Sequence, residues 1–466
     1  MTLRTTPDGA RRIELGDWQT PDTLAERCLC LAARAEVRSV LEPTCGEGSF
    51  LAAAALAFPS ATLVGFDLSP HYVARAKARL GERAKIEIAD FFRTDWQKVI
   101  GALPEPILIV GNPPWVTSAA VGRISGSNLP KRVSVAGHSG LDALTGKSNF
   151  DISEWMIERL LDAAAGKAFR LAMLCKLSVA RKIIASSYTR GRRISGSLRK
   201  IDARKYFGAA VDAVLLEIEA SARPKNAWPL YASLGAPKAT HKLSVIAGGI
   251  VNDLAAFRST RALEGPSRFV WRSGVKHDCA AAMELDLETS ARALSMDDFV
   301  YPLLKGGDLV LGRVPRKCVI VTQRRLGDET SVIRERAPRV WAHLVANSAR
   351  LAARKSRIYQ GQPPFAMFGI GDYTFASFKV AISALHKQLT FRALEPVEGR
   401  PVMLDDTCCF VACSSNKEAL RIAGALNGPA AQRFFQARVF WDAKRPINKQ
   451  LLSALSIERL LAAEQA

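Results

Sequence analysis

Short, largely apolar runs, each ending on a polar residue or a glycine turn, recur through the first 220 positions of this 466-residue chain. Ser39-Val40-Leu41 runs into Glu42, residues 61–66 into Asp67, 85–89 into Asp90, and 107–110 into Gly111-Asn112-Pro113-Pro114-Trp115. The last of these, a short apolar run bounded by Pro106 and Gly111, reads as a buried parallel strand, and the other three read as strands. Longer helical patterns lie between them. One covers 22–35, with Thr20 placed as its N-cap and Pro21 at its first position; another is the Ala-rich stretch through Phe58; a third covers 150–161. Two further runs, 168–174 and 211–218, continue the alternation. Strand and helix alternating in this way predict an α/β fold with a doubly wound, mostly parallel sheet.

Open α/β sheets bind ligands outside the carboxyl ends of their strands, so Glu42, Asp67, Asp90 and the Asn-Pro-Pro-Trp tetrad share one address. A carboxylate at one strand end is often a helix cap; four polar strand ends in succession point to a site. The loop from Glu42 through Pro43-Thr44-Cys45-Gly46-Glu47-Gly48 joins a strand to a helix with too few glycines for a dinucleotide fingerprint, and its acid suits a cationic ligand better than a pyrophosphate. Asp67, 19 residues beyond Gly48, lies where ribose hydroxyls are held in such folds. Asp90 can accept from the exocyclic amine of a bound adenine, with Phe91 against its face. In the tetrad, Pro113 and Pro114 stiffen the backbone and remove two donors. The Asn112 side-chain oxygen and the Pro113 carbonyl are then left to accept from an NH2 group while Trp115 stacks on its ring.

These residues resemble those of the S-adenosylmethionine-dependent amino-methyltransferases of DNA, in the class γ order: cofactor loop first, catalytic tetrad next, target-recognition domain last. Thr20-Pro21 is similar to motif X of that family, Glu42 to Phe50 to motif I, Asp67 to motif II, Asp90-Phe91 to motif III, and Asn112 to Trp115 to motif IV in its adenine-N6 form. The resemblance implies a Rossmann-like methyltransferase sheet with S-adenosylmethionine held by Thr20, Pro21, Glu42, Thr44, Cys45, Gly46, Asp67, Asp90, Phe91 and Asn112. It implies catalysis by Asn112, Pro113, Pro114 and Trp115 on an adenine flipped out of double-stranded DNA. Tyr206-Phe207-Gly208 resembles motif VIII, which assigns Phe207 to the other face of the extruded base. Residues 116–149, rich in Ser and Gly, are expected to form a lid over the site.

Composition sharpens the partner rather than the fold. The net charge is +21, with 30 Lys and Arg against 23 Asp and Glu in residues 1–220 and 35 against 21 in the remainder. The denser excess in the second part suits a phosphate backbone. The basic run from Lys176 to Lys205 faces either phosphates or solvent. Pro224, Trp228-Pro229 and Gly235-Ala236-Pro237 mark an expected division into a catalytic domain, 1–222, and a mixed α+β target-recognition domain, 223–466. Short strands at 318–321 and 408–412 and a helix at 417–426 are expected in the latter. Arg324-Arg325, Lys355-Ser356-Arg357, Lys379 and Lys444-Arg445 are read as basic side chains on its loops. Nine cysteines without paired spacing predict reduced thiols and no metal site. The absence of an apolar leader or a membrane-length run predicts a cytoplasmic protein with no membrane partner. No nuclease constellation is evident, so cleavage is assigned to a separate restriction endonuclease or defence-system subunit. Competing readings are an RNA base methyltransferase, a protein-glutamine methyltransferase and a non-catalytic DNA-binding subunit.

Overall fold

The computed structural model describes residues 18–32, 36–116, 151–246, 249–287, 298–443 and 445–465. The chain forms two compact units, Met1–Asn252 and Asp253–Ala466. The division therefore falls later than the expected 222/223. The Pro- and Gly-bearing segment read as a boundary instead adds three strands to the first sheet.

The first unit is built on a ten-stranded sheet. In chain order its strands are β1 (Ser39–Glu42), β2 (Thr62–Asp67), β3 (Lys85–Ile88), β4 (Ile107–Gly111), β5 (Phe169–Lys176), β6 (Ile194–Ile201), β7 (Ala213–Ala220), β8 (Ala227–Tyr231), β9 (Ala239–Ile246) and β10 (Gly249–Val251). They lie in the order β10-β9-β8-β6-β7-β5-β4-β1-β2-β3. β3, β2, β1, β4 and β5 are mutually parallel, and β7 inserts antiparallel between β5 and β6. Every residue of β1 and β4 is buried, which is why both read as short apolar runs. Side chains alternate across the sheet. Leu108 and Val110 join a core with Leu24, Phe50 and Val73 from helices Asp22–Ala32, Ser49–Ala57 and Pro70–Leu80, whereas Ile107 and Ile109 do not. Helices Trp96–Gly101, Ile152–Ala163 and Leu177–Thr189 form a second packed series, so the sheet is doubly wound. Its strand order reverses between β1 and β4, which makes their carboxyl ends the topological switch point.

Several local expectations shift. Pro21 rather than Thr20 occupies the cap of the first helix, its carbonyl accepting from the N–H groups of Leu24 at 2.9 Å and Ala25 at 3.1 Å. Residues 33–35 of that expected helix, and all of the expected lid beyond Val116, lie outside the described residues. β6 was not legible as a strand: Ile194-Ser195-Gly196-Ser197-Leu198-Arg199-Lys200-Ile201 alternates small polar and basic residues. Gly196 is required there, since a Cβ would collide with the Glu217 carbonyl on β7. The basic run from Lys176 to Lys205 is not one face but spans a helix, β6 and a second short helix. Lys176 pairs with Asp151 at 2.6 Å, Lys182 with Glu154 at 2.7 Å, Arg192 with Glu158 at 2.6 Å and Arg199 with Glu217 at 3.3 Å.

The second unit contains two four-stranded sheets. One orders β11 (Arg272–Ser273), β18 (Cys408–Cys413), β15 (Phe378–Ser383) and β16 (Arg392–Leu394); the other orders β12 (Glu284–Asp286), β14 (Lys317–Ile320), β13 (Val300–Leu304) and β17 (Met403–Leu404). The helix Asn416–Asn427 covers the first sheet over a core containing Phe391, Phe434 and Phe435. Lys379, expected on a loop, is instead inside β15 and 1% exposed, its Nζ donating to the carbonyls of Ala376 at 2.6 Å and Val402 at 2.9 Å. Burial lowers its pKa to about 7. Its basicity is structural, and it is not part of an exposed cationic surface.

Candidate active site

Three pieces of chain converge at the switch point of the first unit. β1 delivers Glu42 and the loop that follows it, β4 delivers Gly111 and the tetrad, and residues 18–21 lie over both. A Cβ placed on Gly111 would stand 3.8 Å from Glu42 Cγ, so the two strand ends are neighbours. Gly46 and Gly48 take left-handed conformations, φ +50° and +80°, that bend the loop into its helix. Asp67 fastens it from β2, Oδ2 accepting from the Gly46 N–H at 2.9 Å while Oδ1 accepts from the Ser69 N–H at 2.8 Å. Gln19 Oε1 accepts from the Glu47 N–H at 3.1 Å. Asn112 Nδ2 donates to the Trp18 carbonyl at 3.1 Å, which fixes the direction of the carboxamide.

Three side-chain oxygens at this point are buried without a partner: Glu42 Oε2, Thr44 Oγ1 and Asn112 Oδ1. An unsatisfied buried acceptor costs about 1–3 kcal/mol, so three together mark a place where a ligand completes the bonding. Burial drives the Glu42 carboxyl well above the usual carboxylate range. The Leu51 N–H opposes that shift, the charge of Asp67 adds to it, and Arg79 opposes it again. Burial, reinforced by Glu42 and Asp67, likewise holds the Cys45 thiol neutral by raising its pKa. A cationic group placed here would favour the ionised form of Glu42.

Asp90 lies two residues beyond β3 and closes a turn, Oδ1 accepting from the Phe92 N–H at 2.9 Å. Phe91 is buried against Trp96, ring centroids 4.6 Å apart, in a group that includes Phe66, Phe92 and Trp155. Trp115 and Phe207, expected on opposite faces of a base, are both buried and touch each other edge-on, centroids 5.2 Å apart at 76°. Such an arrangement is not a parallel slot, and a base stacked between the rings would require them to part. Trp115 Nε1 donates to the Leu174 carbonyl at 3.3 Å, whereas Tyr206 turns away to accept from Arg27 at 3.0 Å. Phe207 is thus the ring against Trp115. Sequence reasoning missed Trp18, which acts through a backbone carbonyl that any residue possesses. It also missed Leu68 and Ile88, both 58% exposed beside Asp67 and Asp90, whose apolarity gave no sign that they would lie open at strand ends.

A doubly wound sheet whose switch point joins an acidic, glycine-bent loop to an Asn-Pro-Pro-Trp strand end defines a Rossmann-like methyltransferase. The chain is 36% identical over 468 residues to the type II methyltransferase M.NspV of Nostoc sp., covering 96% of this chain and 97% of that one. It belongs to this restriction-modification methyltransferase family. No family model matches it. Among solved structures, the type IIL restriction-modification enzyme MmeI, determined in complex with DNA, matches with a TM-score of 0.58 at 12% identity over 95% of this chain. The chain spans 64% of that enzyme, and the likeness is one of fold. The 23S rRNA methyltransferase ErmE covers 44% of this chain with a TM-score of 0.30. The cofactor is S-adenosylmethionine. The buried acceptors fit it: its ammonium, hydroxyl and amine groups are donors and its sulfonium is a cation. Among the described residues no helix is long and apolar enough to cross a membrane.

Proposed function

We propose that the protein methylates the exocyclic N6 of an adenine in double-stranded DNA, as a class γ enzyme of a restriction-modification system. One observation carries this reading: Asn112 is held by its Nδ2 on the Trp18 carbonyl, so that Oδ1 is buried, unpaired and presented at the end of β4. A fixed acceptor without a donor of its own suits an amine. The net charge of +21 and the fold likeness to a restriction-modification enzyme bound to DNA support DNA as the carrier of that amine.

The adenine amine is a weak nucleophile because its lone pair is delocalised into the ring. Asn112 Oδ1 and the Pro113 carbonyl accept hydrogen bonds from its two N–H groups, which favours tetrahedral geometry at nitrogen and turns the lone pair outward. Bound S-adenosylmethionine supplies an electrophilic methyl group on sulfur. Glu42 and Thr44 would hold its polar groups, with Asp67 on the ribose side and Asp90 and Phe91 towards its adenine. Positioning for in-line transfer then provides much of the rate without a side-chain base. The N–CH3 bond forms as the S–CH3 bond breaks, S-adenosylhomocysteine leaves, and the methylated nitrogen afterwards gives up one proton to solvent. The target base must leave the duplex, at a cost of roughly a few kcal/mol, and contact with Trp115 after Phe207 moves aside offsets part of it. The test is nucleoside mass spectrometry of DNA from cells expressing the wild type or Asn112→Ala. The expected result is N6-methyladenine in the wild type alone. N4-methylcytosine, or no methylated base from well-expressed protein, contradicts the assignment.

A further inference from the structure

Resting on the reading that DNA is the substrate, we propose that the loop Lys355–Gln362 of the second unit is a base-reading element: Arg357, Gln360 and Gln362 address base edges and Lys355 a phosphate. Of the basic groups singled out in the second part of the sequence, four are engaged or buried. Arg325 is ion-paired with Asp372 at 2.7 Å, Arg445 with Asp406 at 3.0 Å, Arg324 lies over the Phe375 ring at 4.5 Å, and Lys379 is buried. Lys355 and Arg357 are exposed and have no carboxylate partner among the described residues. They stand on a segment that also exposes Gln360 and includes Gln362, and Arg and Gln are the side chains that make two-point contacts to guanine and adenine edges.

Exposure alone describes any surface loop; the support beneath this one is the second observation. Arg354 lies over the Tyr359 ring at 3.6 Å and donates to three carbonyls, Leu351 at 2.8 Å, Ala366 at 2.7 Å and His277 at 3.3 Å. Tyr359 in turn donates to the Lys276 carbonyl at 3.4 Å. The far end is fixed as firmly. Thr330 donates to the Pro364 carbonyl at 2.6 Å and Thr322 to the Phe365 carbonyl at 2.9 Å, while Phe365, at φ +62°, packs edge-on against Trp341 at 5.4 Å. A non-glycine residue held in the left-handed region requires surroundings that over-determine it. Between these anchors the chain makes tight turns, Tyr359 N–H to the Ser356 carbonyl and Gln360 N–H to the Arg357 carbonyl, and Gly361 turns at φ +72° with open space where a Cβ would be. A cleft of about 430 Å³ runs beside it, lined in part by Lys355, Ser356, Gln360 and Gln362. A loop whose Arg354, Tyr359 and Phe365 are pinned, and which exposes Lys355, Arg357 and Gln360 beside a single apolar residue, Ile358, is preorganised for polar readout.

The experiment uses the full chain with S-adenosylmethionine and a DNA library carrying every short sequence, sequenced for the methylated positions. Arg357→Ala, the pair Gln360→Ala with Gln362→Ala, and Lys355→Ala are compared with wild type. Cofactor affinity and melting temperature confirm that each is folded. Arg357→Ala and the Gln pair are expected to relax the preference at particular positions of the methylated sequence by about 10-fold or more. Lys355→Ala should weaken binding to all sequences alike and lower the salt slope of log K by about 0.9. Folded variants with wild-type preference and wild-type salt slope overturn the inference and leave DNA methylation standing. A wild type that methylates no DNA at all overturns both.

Discussion

Each unit of the protein contains a glutamate with a buried carboxylate, and the two are treated in opposite ways. Glu284 in the second unit, its side chain 4% exposed, is met by Lys305 at 2.6 Å, Lys317 at 3.3 Å and His277 at 3.4 Å. Burial alone would raise its pKa, but these partners win and bring it down to about 2. Glu42 in the first unit has no cation within pairing distance among the described residues, its Oε2 is unsatisfied, and burial raises its pKa. The first arrangement holds a fold together. The second is unfavourable until something cationic arrives, so the catalytic unit carries at its switch point an unfavourable element that the second unit avoids.

The largest effect is expected where an unpaired atom meets the reacting group. Asn112→Ala should lower single-turnover methyl transfer by about 10²–10³-fold, the usual loss when one preorganised polar group is removed from a transition state. Calorimetry should show cofactor binding little changed. Next comes Glu284→Ala, which leaves Lys305, Lys317 and His277 around a void and, with both lysines reaching solvent, should cost about 1–3 kcal/mol in urea unfolding. A cost below roughly 1 kcal/mol would mean that the cluster is looser than its distances imply.

The two glutamates also give opposite signs with pH. Glu284, depressed from 4.5 to about 2, contributes stability above pH 4.5 that is lost as pH falls through 2. Glu42, raised above 4.5, contributes stability below pH 4.5 that is lost as pH rises through its folded value. Without cofactor, Glu42→Gln should therefore be more stable than wild type at pH 8, by about 1 kcal/mol, with the gap closing towards pH 4.5. The same substitution should weaken S-adenosylmethionine binding and flatten its pH dependence. Wild-type protein that is the more stable at pH 8 would remove the contrast. The smallest change is Trp115→Phe, which loses the bond to Leu174 but keeps a ring: about 1 kcal/mol of stability and a few-fold in rate, measured by melting and turnover.

What could be read from the residues alone follows the same division. β1, β2 and β4 were legible because buried parallel strands leave largely apolar runs, whereas β3 is an edge strand of which only Ile86 is buried. The site was legible because each run stops at or near a polar side chain. β6 was not, since Ser195, Ser197 and Arg199 on one side of the sheet break the apolar pattern. β8 to β10 were hidden by Pro229, Gly235 and Pro237, which normally punctuate a chain; β8 accommodates its proline within a short pairing to β9. In the second unit, basicity was mistaken for exposure at Lys379, because whether a lysine points out of a sheet or into it depends on register, which a single sequence does not carry. Trp18 contributes a carbonyl and could be found only from coordinates.

The most direct measurement takes wild type, Glu42→Gln and Asn112→Ala from parallel preparations. It records S-adenosylmethionine binding by calorimetry and single-turnover methyl transfer to DNA on each. The expected result separates the two losses: Glu42→Gln binds cofactor weakly and regains rate when cofactor is raised, whereas Asn112→Ala binds normally and stays slow at saturation. An Asn112→Ala protein that transfers methyl groups to adenine at the wild-type rate would contradict the assignment of that unpaired oxygen to the target amine.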